Sequence, residues 1–315
     1  EVDAATEFQE GWNWTTLGLV ASSSPAAERG LAEPLIDLLI EQGADVNWGD
    51  GINLYAAFFH AVECEKLAEV ARMLHARGAR LDLGYAAAVG DIDAMSRFLG
   101  DGDTLGEGAY SRYRPVANRL EDPTRQQILD EALVFASINT RIEAADLLLE
   151  RGAALDGTAQ VHAERPTPLH AAAWAGANPM ARHRLARGAD ARLRDEVHET
   201  SVIGWADYVK KYALRDLLLE DDDNLDLRDA IEFGRFTRAM ELIEQVEVDA
   251  PVDGGDPGVL LRAAAHHGHT EMVRYLLKRG ADPQLRNRDG LSATDLAERQ
   301  GHRSITGLLR EAGEA

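Results

Sequence analysis

The chain has 315 residues, 45% of them apolar, and a formal net charge of −21 with a pI near 4.8. Phosphate backbones are bound through Lys and Arg, so this charge argues against a nucleic-acid ligand. No apolar run reaches the roughly 18 residues that a membrane-spanning helix needs, and the lone Cys64 leaves no internal disulfide.

In chain order, the first periodic segment ends LLIEQGADVN at Leu38–Asn47, and blurred copies of it follow. One ends LLLERGAAL at Leu147–Leu155, one LARGADARL at Leu185–Leu193, and the fullest reads LRAAAHHGHTEMVRYLLKRGADP up to Pro283. The slot after each apolar pair falls at Gly43, Gly78, Gly102, Gly152, Gly188, Asp222, Val246, Gly280 and Gly313. Most gaps lie near 33 to 36 residues, which predicts nine stacked units forming one elongated domain over residues 1–315.

Each unit is predicted to hold two short helices. The first is Ala-rich, as at Ala86–Ala88, Ala171–Ala173 and Ala263–Ala265, so that neighbouring helices approach closely. The second carries larger apolar residues at helical spacing, as in Met272, Val273, Leu276 and Leu277, with Glu271, Arg274 and Lys278 facing outward. Gly176 and Gly268 separate the two helices at a position that requires positive φ. Two units depart from the pattern. The loops at Glu220–Leu227 and Glu244–Ala250 have lost the glycine and are expected to lack a projecting turn.

Thr167, Pro168, Leu169 and His170 spell the TPLH that opens ankyrin repeats. Gly268 and His269 match the mid-repeat Gly-His, and Gly188–Asp190 and Gly280–Asp282 match the closing GAD. Over roughly residues 30 to 313 the chain resembles the ankyrin-repeat family, with degenerate copies at both ends. The resemblance implies an all-α ankyrin-repeat solenoid of stacked helix pairs, interrupted by one long inserted loop, 103–124. A tetratricopeptide array shares the period but lacks the TPLH and GAD signatures. Within the family pattern, Thr167 caps the first helix and Pro168 takes its first position.

Function is expected where the scaffold is irregular. The 103–124 loop holds Tyr110, Arg112, Tyr113 and Arg114, an aromatic and basic cluster in an acidic, aromatic-poor chain. Tyr and Arg are favoured at interface hot spots. The resemblance also implies that the two residues before each mid-repeat glycine point into the concave groove. That slot holds Ile138 and Asn139, Trp174 and Ala175, Tyr208 and Val209, Glu232 and Phe233, and His266 and His267. The proposed binding set is therefore Tyr110, Arg112, Tyr113, Arg114, Asn139, Trp174, Tyr208, Phe233, His266 and His267; the competing assignment for each aromatic is packing between imperfect repeats.

No chemistry is compelled. His266 and His269 have i, i+3 spacing, but Gly268 interrupts the helix between them, so neither a metal nor a cofactor is expected. The glycine clusters lack the strand–loop–helix context of a nucleotide site, and the acidic run Glu220–Asp223 lacks EF-hand spacing. No catalytic residue is therefore predicted. The resulting expectation is a non-catalytic, monomeric binding or scaffolding module that recognises a protein partner, one with a basic face given the net charge. The alternative is an enzyme that converts a small organic substrate in the groove, using His162, His198, His266, His267 and Glu232. The use of 29 Arg against 4 Lys, with abundant Ala, suits a GC-rich bacterial source. One cysteine suits a cytoplasmic location. A start at Glu1 rather than Met is compatible with removal of a leader.

Overall fold

A computed structural model describes residues 6–9, 12–48, 65–100, 102–110, 122–159, 165–252 and 256–314. The chain divides into two compact units, Glu1–Arg215 and Asp216–Ala315. The first opens with a short antiparallel hairpin, β1 (Thr6–Gln9) and β2 (Trp12–Trp14), in which Thr6 pairs with Trp14 and Glu7 with Asn13. Every other regular element among the described residues is helical. Helices α1 (Thr16–Ala21), α2 (Ser24–Glu28), α3 (Ala32–Glu41) and α4 (Glu65–Ala76) come first. The helix expected before α4 falls outside the described residues.

Regular helix pairs then follow: α5 (Leu83–Val89) with α6 (Ile92–Leu99), α7 (Arg125–Ile138) with α8 (Ile142–Glu150), and α9 (Pro168–Ala175) with α10 (Asn178–Ala186). Next comes α11 (Val202–Tyr208) with α12 (Tyr212–Leu218), a helix that contains the division between the units. The second unit holds α13 (Leu227–Glu232) with α14 (Phe236–Ile243), α15 (Val259–His266) with α16 (Thr270–Lys278), and α17 (Ala293–Arg299) with α18 (Arg303–Gly313).

Stacking runs mainly through the first helices of the pairs. In the first unit α5 packs on α7, α7 on α9 and α9 on α11; in the second, α13 packs on α15 and α15 on α17. The buried runs Ala86–Ala88 and Ala171–Ala173, with Ala264 and Ala265, are small enough to allow this approach. Thr124, Thr167, Ser201 and Ser292 cap α7, α9, α11 and α17 through their hydroxyls, each relieving an orphaned amide of the first turn.

Side chains at fixed repeat positions tie each pair to the one before it. The arginine preceding the closing glycine reaches back to an acceptor: Arg77 to Asp37, Arg151 to the Gly100 carbonyl, Arg187 to Asp146 and Arg279 to Glu244. In three closing loops an Asx side chain accepts an amide of the following closing loop. Asn47 takes Arg80 N–H at 2.7 Å, Asp156 takes Asp190 N–H at 3.2 Å, and Asp249 takes Asp282 N–H at 2.9 Å.

Three details differ from the repeat as aligned. Gly100, not Gly102, terminates α6, and Gly313 is the last residue of α18 rather than a turn. The long loop is anchored at its start, where Gly106 N–H donates to Phe98 O and Leu83 N–H to Ala109 O. The two units expected to lack a projecting turn contain, respectively, a 3-10 helix at Asp222–Asn224 and a turn closed by Ala250 N–H on Glu247 O. A finger with a strand-like bridge, Arg194 to Ser201, is present after α10.

Candidate binding surface

The helix that starts with TPLH carries buried polar groups that bond to one another and to the next repeat. Thr167 Oγ1 accepts the His170 amide and lies 2.8 Å from His170 Nδ1, while His170 Nε2–H donates to Thr200 O at 3.1 Å. The imidazole is buried, and burial pushes its pKa down to about 4. His170 is therefore neutral near pH 7, with the proton on Nε2, and serves to join two repeats.

Trp205 stands in the slot that Ala171 fills in the preceding repeat. It is 7% exposed, and its ring meets His170 and Trp174 edge-on at 5.3 and 5.5 Å between centroids. Its indole N–H donates to Asp195 Oδ2 at 2.9 Å, and the same carboxylate accepts the amides of Val197, His198 and Thr200. Burial alone would raise the Asp195 pKa; these four donors outweigh it and hold the group below the ordinary carboxylate range. Trp205 therefore locks the finger to the helix pair and supports Trp174 from beneath, leaving Trp174 half-buried.

The other expected site residues are placed as follows. Tyr208 ends α11 and is 79% exposed. Asn139 is the C-cap of α7, and its side-chain amide donates to Phe135 O at 3.0 Å. Tyr110 is half-buried at the end of the anchored part of the loop, whereas Arg112, Tyr113 and Arg114 lie outside the described residues, as does His162. Phe233 is the half-buried C-cap of α13.

The second unit gathers imidazoles at the ends of α13 and α15. His266 meets His267 edge-on at 4.8 Å, and His267 stacks on His269 at 6.1 Å. His267 Nε2 lies 3.7 Å from Glu232 Oε1. His269 Nε2–H donates to Glu232 O at 2.9 Å and His302 Nε2–H to His266 O at 3.0 Å, so both of these rings act as ties between repeats. No group of three or more His, Cys, Asp or Glu side chains among the described residues could hold a metal ion.

Three features were not anticipated. The Trp174–Trp205–His170 contact required knowing which repeats stack. Lys210, Lys211 and Tyr212 follow Tyr208 after Val209, a cluster visible in the sequence as YVKKY. Arg184 occupies the position of Leu276, as aligning MARHRLARGAD with MVRYLLKRGAD makes visible.

Residues 251–297 match the family described as ankyrin repeats (many copies). Over 61 residues the chain is 43% identical to espin-like protein of Homo sapiens, a match that covers 19% of this chain and 6% of that protein. Over 51 residues it is 45% identical to potassium channel AKT1 of Arabidopsis thaliana, covering 16% of this chain and 6% of the channel. The solved ankyrin repeat domain of human ASB11 is similar over 73% of this chain and 98% of that one, with 27% identity and a TM-score of 0.38. The matched segments thus span a small fraction of the curated relatives.

Proposed function

We propose that this chain, an ankyrin-repeat protein built of stacked helix pairs, is a non-catalytic binding module for a protein partner. The observation that carries the proposal is the contrast between two sets of side chains. Groups with chemical potential are used up in structure: His170 is buried and neutral, Asp195 is caged by four donors, and His269 and His302 bind carbonyls of the preceding repeat. Large side chains at the ends of the first helices are left accessible instead, with Tyr208 exposed and Trp174, Phe233 and His266 half-buried. Aromatic residues of this kind supply most of the energy at interface hot spots.

The partner class rests on fold-level analogy and on charge. A net charge of −21 favours encounter with a basic face at long range. The test is capture of a partner from the native host by the folded chain, compared with Tyr208→Ala and Phe233→Ala. A single stoichiometric partner, retained by the parent and lost by at least one variant of unchanged melting temperature, is the expected result. Equal retention by both variants would remove these two side chains from the interface, and turnover of a small molecule by the chain would replace this reading with an enzymatic one.

A further inference from the structure

Taking the binding-module reading as its basis, we infer that the segment from Tyr208 to Tyr212 is a docking site for an acidic peptide segment carrying an apolar or aromatic side chain. Tyr208 is 79% exposed and Tyr212 49% exposed, and between them lie Lys210 and Lys211. These are two of only four lysines in the chain. Neither lysine has an ion-pair partner among the described residues, whereas Arg77, Arg187, Arg215 and Arg279 all pair with carboxylates. Lys278, Arg228 and Arg299 show no ion pair either, so what sets this segment apart is two adjacent cations, Lys210 exposed and Lys211 half-buried, between two exposed tyrosines.

The backbone points the same way. Lys210 sits at the mid-repeat position with φ +60, a region disfavoured for any residue with a side chain; Gly90, Gly176, Gly234, Gly268 and Gly301 occupy the corresponding slot in other repeats. Here the sequence has placed a lysine where a glycine would fold more easily. The Lys211 chain lies against Gly176, where an added Cβ would stand 2.8 Å from Lys211 Cδ. That contact packs the Lys211 stem on the mid-repeat turn that ends α9. Arg215 stacks over the Tyr212 ring, its Cζ 4.8 Å from the centroid, and binds Asp207 at 2.9 Å, which orients the ring. Two accessible phenol rings flanking two ammonium groups match a carboxylate next to an apolar side chain.

An acidic docked segment is compatible with long-range attraction to a basic face. Net charge acts over distances comparable with the Debye length of about 8 Å, while the docked contact is set by the groups that touch. A basic partner can present one acidic, apolar-anchored segment here.

The experiment is selection of a phage-displayed random short-peptide library on the folded full-length chain, followed by affinity measurement with the enriched peptides. Enrichment of Asp or Glu beside Trp, Phe or Leu is expected. Tyr208→Ala should then weaken binding about 30-fold with an unchanged melting temperature, and Lys210→Glu about tenfold or more. Arg29→Glu, a charge change of equal size at the C-cap of α2, should leave affinity unchanged. Enrichment of basic peptides, or of acidic ones indifferent to both patch substitutions, would overturn the docking site and leave the binding-module reading standing. No enrichment by a folded chain would overturn the docking site alone, since the binding-module reading stands or falls with partner capture. Tighter binding of single-stranded oligothymidylate, lost in Lys210→Glu, would assign the patch to nucleic acid and likewise overturn the inference.

Discussion

At His170 the repeat buries an imidazole between a threonine hydroxyl and a backbone carbonyl, and burial decides its charge. Its folded pKa of about 4 lies below the ordinary value of 6.5, so the unfolded chain binds the extra proton over that interval. Stability contributed by the neutral ring is complete above pH 6.5 and is lost as pH falls towards 4, by about 3 kcal/mol in all. Chemical denaturation across that range should show this slope, and His170→Gln should flatten it while lowering stability at pH 7. An unchanged slope would mean that another group carries the acid limb.

Arg184 is the opposite case, a charge where the repeat asks for an apolar residue. Leu276 and Leu148 fill the same slot in other second helices, and all three positions are fully buried. Arg184 Nη2–H donates to Ser137 Oγ at 3.2 Å, while Nε and Nη1 find no partner among the described residues. Burial pushes its pKa down to about 10, an effect only partly offset by Asp146 and Asp156. Burying a leucine contributes about 1.5–3 kcal/mol, whereas a buried cation with unmet donors opposes folding. Arg184→Leu should therefore raise stability by about 1 kcal/mol or more in urea melts. A loss would show that the guanidinium is satisfied by solvent that reaches it.

The mid-repeat turn does two jobs in each helix pair. It takes a left-handed φ, and it leaves room for the residue that ties in the next repeat: a Cβ on Gly268 would lie 2.7 Å from His302 Cε1, and one on Gly234 would lie 2.9 Å from His269 Cε1. Gly268→Ala should destabilise by about 2 kcal/mol, combining the left-handed penalty of about 1–2 kcal/mol with displacement of His302 from the His266 carbonyl. Thr140 occupies the same slot at φ +56. The residue that would press on it from the next repeat is Ala177, which has no side chain long enough to collide. Only the backbone penalty remains there, so Thr140→Gly should stabilise by about 1 kcal/mol. If both substitutions destabilise equally, the turn is not limited by φ. The arginine and Asx ties between repeats are partly exposed and worth at most about 1 kcal/mol each, so they set register more than stability.

For the whole molecule, the net charge of −21 bears on encounter rather than on folding. Association with a basic-faced partner should slow several-fold as salt rises from about 20 to about 500 mM, because the Debye length shrinks from tens of ångströms to a few. Dissociation should change less if the docked contact depends on Tyr208 and Trp174. Stopped-flow rates measured across that range check both statements, and an association rate indifferent to salt would remove steering from the account.

Much of the architecture was legible in the sequence because a repeat states its rule many times. TPLH, the mid-repeat glycine and the closing GAD each encode a local backbone requirement, and local requirements survive translation into helices, caps and turns with little help from context. The tie from His269 to the preceding repeat was hinted at by Gly-His alone. Other features depend on which side chains meet across sequence separations of about a repeat. Trp205 became a support for Trp174 only because α9 and α11 stack, and His170 is held neutral because that stacking buries it, an effect that outweighs the opposing bond to Thr200 O. Likewise, the exposure of Tyr208 and the missing ion-pair partners of Lys210 and Lys211 could not be read from YVKKY. Sequence determined the repeat and its turns, since these follow from residues within one unit; tertiary structure decided protonation, burial and accessible surface, since those are set by neighbours that adjacent repeats bring together.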